Sequence, residues 1–175
     1  MGHNFKNGKW SDPAVPKRDW YCVHGYDRGR DNLEFCDMCE SASVRYVHVM
    51  RHDDYPGELD VGCICAGHME QDVEGAKRRE ADVRNRSARR AKWLHRDGWH
   101  VSAKGNPTIK TKGCRVTVFR SGAIWKWLLV WHVRDDYYDS WTEKKMFSPV
   151  TYMNLDDAKL GAFDALHPPA KGTTL

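Results

Sequence analysis

Cys36-Asp-Met-Cys39 and, about two dozen residues on, Cys63-Ile-Cys65-Ala-Gly-His68 decide how this chain is read. Two soft-ligand clusters at this separation are the signature of a structural zinc site. In a Cys-x2-Cys knuckle the intervening backbone turns its amides toward the sulfurs, so two thiolates converge on one point. The second cluster must return to that point, and the segment between them is built to do so. Val44, Tyr46, His48 and Met50 alternate with Arg45, Val47, Val49 and Arg51, which is strand periodicity. Tyr55-Pro56-Gly57 supplies a turn, and Leu59 and Val61 begin a return strand. Cys63, Cys65 and His68 then compete for two places in a tetrahedron, the four cysteines being favoured and His68 the alternative. Disulfides are not expected, because nothing marks the chain for export.

Knuckle, hairpin and ligands at a helix start together resemble the treble-clef family of zinc folds. That family includes the His-Asn-His nucleases, in which a strand histidine activates water and a helix histidine binds a divalent ion. On that resemblance His52 and His68 would be the catalytic pair. The match is partial, since no asparagine lies between Cys36 and Arg84. Outside it, His48 and His52 read as ordinary strand and turn residues. Cys22 and His24 read as a half-buried thiol and a surface imidazole.

Net charge is +4, but its distribution is uneven. Between Gly75 and Arg120 there are 14 Lys and Arg against Glu80, Asp82 and Asp97, an excess of +11 that leaves −7 for the rest. This points to a polyanionic partner. From Ala66 to about Arg96 nothing after Gly75 breaks a helix. Met69, Val73, Ala76, Val83, Ala91 and Leu94 fall on one narrow stripe of it. Around the stripe sit Lys77, Arg78, Arg79, Arg84, Arg86, Arg89, Arg90, Lys92 and Arg96, with few acids at i±4 to neutralise them. Guanidinium groups suit phosphates. Lys104, Lys110 and Lys112 continue the positive field through a polar connector whose Lys104-Gly-Asn-Pro107 is turn chemistry.

The last third reads as three strands and a helix: Arg115 to Arg120, Ile124 to Val133, a strand within Lys144 to Tyr152, and a helix capped by Asn154. Asp156 and Asp157 complement its dipole, and Pro168-Pro169 stops it. Three antiparallel strands backed by one helix, with Gly122-x-x-Trp125 at the turn, resemble the AP2-type and integrase arm-binding domains. The resemblance implies that Arg115, Arg120, Lys126 and Trp125 face DNA. Equally, Trp125, Trp127, Leu129 and Trp131 share one strand face and fit a core against the helix. Cys114 reads as a lone packed thiol.

The organisation expected is an α+β chain in two modules: an N-terminal arm (1–34), a zinc module with the basic helix (35–97), a basic linker (98–113), a sheet-and-helix module (114–167) and a tail (168–175). The function expected is nucleic-acid binding, DNA rather than RNA, without catalysis. The alternatives are a nuclease of the homing type, active or degenerate, and a protein-binding inhibitor of a nucleic-acid-processing partner. No run is long and apolar enough for a membrane span and no signal peptide begins the sequence, so a cytoplasmic, bacterial or phage setting is expected.

Overall fold

The segment expected to be an arm supplies a strand instead. In the computed structural model, which describes residues 5–169, β1 (Tyr21–Asp27) pairs antiparallel with a strand of the central hairpin. Residues 1–4, the start of that arm, and 170–175, most of the expected tail, lie outside the described residues. β2 (Glu34–Phe35) and β3 (Ser43–Val44) form a two-residue ladder that brackets the knuckle. β4 (Tyr46–Arg51) and β5 (Glu58–Val61) are the hairpin read from the alternation. The sheet order is β1-β4-β5, so β4 is central, and Val47, His48, Val49 and Met50 are all buried. Alternation alone suggested one wet face; the strand that β1 adds and the packing that follows remove it.

The single helix expected from Ala66 is two: α1 (Cys63–Glu70) and α2 (Val73–Trp93). Gln71 ends α1 in the left-handed region (φ 62°), and the Asp72 carboxylate accepts from the Gly75 amide at 2.8 Å to start α2. The helices meet closely at Gly67, where a Cβ would lie 2.7 Å from the Val73 Cα. Only glycine permits that approach.

The chain divides after Ala88, within α2, into two compact units, the second running from Arg89 to Pro168. The second holds a five-stranded antiparallel sheet of order β10-β9-β8-β7-β6. The expected linker 98–113 is not a linker. It contains β6 (His100–Val101) and β7 (Pro107–Thr111), and its turn residues make hairpins. Gly105 (φ 77°) turns the chain from β6 to β7, and Lys112-Gly113, both at positive φ, joins β7 to β8 (Cys114–Ser121) as a two-residue turn. β9 (Ile124–Asp135) and β10 (Ser140–Phe147) complete the sheet. α3 (Leu155–Leu166) is capped by Asn154, whose side chain accepts from the Asp157 amide at 2.8 Å. Val116, Val118, Trp127 and Leu129 pack with Ala158, Ala162 and Phe163 of α3. The apolar anchor at the end of α2 is Trp93, 2% exposed, rather than Ala91, which is exposed. Its indole N–H donates to the Lys159 carbonyl at 2.8 Å. Among the described residues no helix is long and apolar enough to cross a membrane.

Candidate functional site

The cysteine cluster assembles from three local devices. The β2–β3 ladder closes the knuckle, with the Cys36 amide donating to the Ala42 carbonyl and the Glu40 amide to the Cys36 carbonyl, both at 2.8 Å. The β4–β5 hairpin returns the chain to the knuckle: the Asp37 amide donates to the Asp60 carbonyl at 3.0 Å, and the Asp60 amide to the Asp37 carboxylate at 2.7 Å. α1 then begins, and its first turn carries Cys65 inward. The sulfurs of Cys36, Cys39 and Cys65, all buried, lie within 4.8 Å of one another and can hold a metal ion. Bonds of about 2.3 Å in a tetrahedron set ligand sulfurs about 3.8 Å apart, so little closure is needed.

Cys36 and Cys65 affect one another's proton affinity in opposite directions. The Cys65 thiol against it and the amides of Cys39, Gly62 and Met38 hold Cys36 well below the usual thiol range. Cys65 is pushed up by the same contact and by burial. The Trp10 indole N–H donates to the Cys65 sulfur at 3.4 Å. The N-terminal segment is seated on the knuckle at Gly8 (φ 60°), where a Cβ would come within 2.9 Å of the Met38 carbonyl.

Cys63 lies outside this cluster. It and Cys65 are two residues apart on a helix, about 200° around the axis, and so face opposite ways. The sequence reading favoured both cysteines as ligands of one ion; the helix starts at Cys63 itself. Cys63 instead joins His48 and Glu80, whose ligand atoms and its own also lie within 4.8 Å of one another. Burial, with the Glu80 carboxylate beside it, pushes the Cys63 thiol up to about 11. His48 and Glu80 carry no spacing signal, because they meet Cys63 only across the hairpin and the second helix. Cys22 is buried, its thiol pushed up to about 11 by desolvation, and belongs to neither group. The two catalytic alternatives, His68 and His52, each pack on a different aromatic side chain. The His68 ring packs on Phe5 at 4.2 Å, and the His52 ring lies 5.4 Å from Trp20 with its Nδ1 accepting from the Asp54 amide. Among the described residues neither belongs to a group of three metal-ligating side chains.

The basic helix is more neutralised than its local sequence indicates. Arg79 pairs with Glu70, Lys77 with Glu74 at 2.7 Å, Arg84 with Glu80 at 3.7 Å, and Arg90 forks onto Asp164 at 3.0 Å. Arg96 donates to the Thr111 hydroxyl and lies over the Trp93 ring. Arg86 is half-buried, leaving Arg78, Arg89 and Lys92 as exposed cations of α2. Glu70 and Asp164 lie outside any i±4 window, which is why the run looked self-repelling.

The second unit concentrates charge on its sheet. Strand parity puts Cys114, Val116 and Val118 on the α3 face, and Arg115, Thr117 and Phe119 on the other. The register pairs Lys110 with Arg115, Thr108 with Thr117, and Phe119 with Lys126, so these share the open face. Trp125 pairs with Arg120 on the opposite side, half-buried against the α3 core. The expectation that Arg115, Arg120, Lys126 and Trp125 face one partner is therefore corrected: Arg115 and Lys126 share the open face, and Arg120 and Trp125 do not. The tryptophan row is core, as alternate positions on a strand packed against a helix should be. A cleft of about 490 Å³ opens on the free face, lined by Lys104, Lys110 and Arg115 with Asn106, Thr108 and Thr117. No carboxylate lines it. Lys112 lies in the adjoining β7–β8 turn, exposed.

No family model, no curated protein and no solved structure matches this chain.

Proposed function

We propose that this chain is a zinc-stabilised nucleic-acid-binding protein that contacts duplex DNA through the open face of its second sheet. The observation that carries the reading is the cleft of Lys104, Lys110 and Arg115, which gathers three cations and a set of hydroxyl and amide side chains with no acid among them. Phosphate oxygens are the ligands that such a set satisfies: lysines supply point charge, the guanidinium a fork, and neutral hydroxyls the directional bonds. Around the cleft, Lys126 extends the charge, Lys145 is paired with Glu143 at 2.8 Å, and Phe119, Phe147 and the exposed Trp141 offer surface for sugar or base contact. An open sheet face carrying these residues supports the AP2-type reading of the module. Arg78, Arg89 and Lys92 on α2 add phosphate contacts.

Zinc is the ion that the Cys36, Cys39 and Cys65 set suits, since thiolates select soft and borderline cations. In this reading the segment from Cys36 to His68 is a treble clef and His68, one turn beyond Cys65, supplies the fourth ligand. The zinc then holds knuckle, hairpin and α1 together and takes no part in chemistry. The test is equilibrium binding of the full chain to duplex DNA, single-stranded DNA and RNA at several salt concentrations. Duplex should bind most tightly, with affinity falling steeply as salt rises. Undetectable or salt-insensitive binding to all three overturns the reading.

A further inference from the structure

His48 has a buried, unanswered side chain. It is 1% exposed, and neither ring nitrogen has a hydrogen-bond partner among the described residues. A neutral imidazole carries one donor and one acceptor, and buried polar groups are nearly always satisfied. The surroundings offer a different kind of partner. β4–β5 register pairs His48 with Val61, so the chain two residues later opens α1 with Cys63 beside the ring. α2 crosses the same face, where Val83 stands against Gly25, the β1 partner of His48, and lowers Glu80 into place. One imidazole nitrogen, one sulfur and one carboxylate oxygen thus lie within 4.8 Å of one another, each from a different element.

This set has the chemistry of a metal site. Thiolate and carboxylate balance a divalent charge, so the buried assembly would be neutral, whereas either anion alone would be costly to bury. Arg79, paired with Glu70, and Arg84, 3.7 Å from Glu80, are the cations that a bound metal would face, and the thiolate and carboxylate are the charges that offset them. Sulfur, nitrogen and oxygen together suit zinc or cobalt rather than magnesium or calcium. A cleft of about 300 Å³, lined by Cys63 and Glu80 with Tyr46 and Ile64 and reaching Cys36 and Cys65 of the first centre, provides access. We infer that His48, Cys63 and Glu80 bind a second divalent transition-metal ion, separate from the Cys36–Cys39–Cys65 centre. With three protein ligands its fourth position is open to water or a small anion, as in catalytic rather than structural zinc sites. This stands independently of nucleic-acid binding, whose cleft is read on the other unit.

The experiment is metal quantification on the full chain, saturated with zinc and freed of excess by gel filtration, with parallel cobalt titration. The parent should carry two ions per chain. Glu80→Ala, at a half-exposed position where alanine favours the helix, should carry one with an unchanged circular dichroism spectrum. His48→Gln should do the same; should it fail to fold, Glu80→Ala decides. One ion in the parent, or two ions in both the parent and Glu80→Ala, would overturn the inference.

Discussion

Neutralising the sheet cleft is the perturbation whose effect the geometry fixes best. Replacing Lys104, Lys110 and Arg115 together by Gln removes three charges that line one cleft and keeps the first two methylenes of each stem. The stems matter because Val130, the cross-strand neighbour of Arg115, is buried on that face. Among the described residues none of the three cations forms an ion pair, so their removal should leave stability nearly unchanged. Each phosphate contact adds about 0.9 to the slope of log affinity against log salt, so the variant's slope should be shallower by about 2.7. The same relation gives about a 5-fold loss per contact at 0.15 M salt, about 150-fold for all three, or about 3 kcal/mol. Fluorescence anisotropy with a labelled duplex, from about 0.05 to 0.3 M salt, measures both quantities. A control with Arg78, Arg89 and Lys92 changed to Gln tests whether α2 contributes separately. An unchanged slope in the cleft variant, with its thermal unfolding intact, would refute the placement of phosphate on this face.

Chelation should expose residues up to Ala88 to limited proteolysis while the unit from Arg89 to Pro168 survives, because the thiolate centre lies wholly in the first. Cys36→Ser should release metal, and Cys114→Ser, a buried thiol in the second sheet, should not; a metal-free preparation that stays protease-resistant contradicts both. Trp93→Ala removes an indole packed edge-on to Trp99 and Phe163 and should lower stability to urea by about 3–5 kcal/mol, a loss under about 1 being incompatible with its burial. Asp27, hydrogen-bonded by both Arg45 nitrogens at 2.8 and 2.9 Å, has its carboxyl held down to about 2. A depressed carboxyl stabilises above its unfolded value near 4 and loses that stabilisation as pH falls toward 2. Solvent screening leaves on the order of 1 kcal/mol, so the parent and Asp27→Asn should converge in stability between about pH 4 and pH 2.

Local chemistry alone determined the knuckle, the β4–β5 hairpin, the β8 and β9 strands and the Asn154 cap, each set by residues within one or two turns of one another. Alternation, a Pro-Gly turn and a capping side chain act on their own neighbours, and a sequence displays them directly. The Cys36, Cys39 and Cys65 convergence was legible for the same reason, since knuckle and hairpin are both short-range. What only the tertiary structure decided is which partner each side chain meets. Cys63 was assigned to the thiolates because its neighbours in sequence are ligands, yet helical geometry turns it toward His48 and Glu80. The α2 arginines looked unpaired because Glu70 and Asp164 reach them through the fold. The stretch from 98 to 113 looked like a linker because its turns are conspicuous and its strands short; they are stabilised by pairing with β8, a contact no local pattern records. Lys110 and Arg115 came to line one cleft by strand register, which converts distance along the chain into adjacency across a sheet, and the β6–β7 turn brings Lys104 to it.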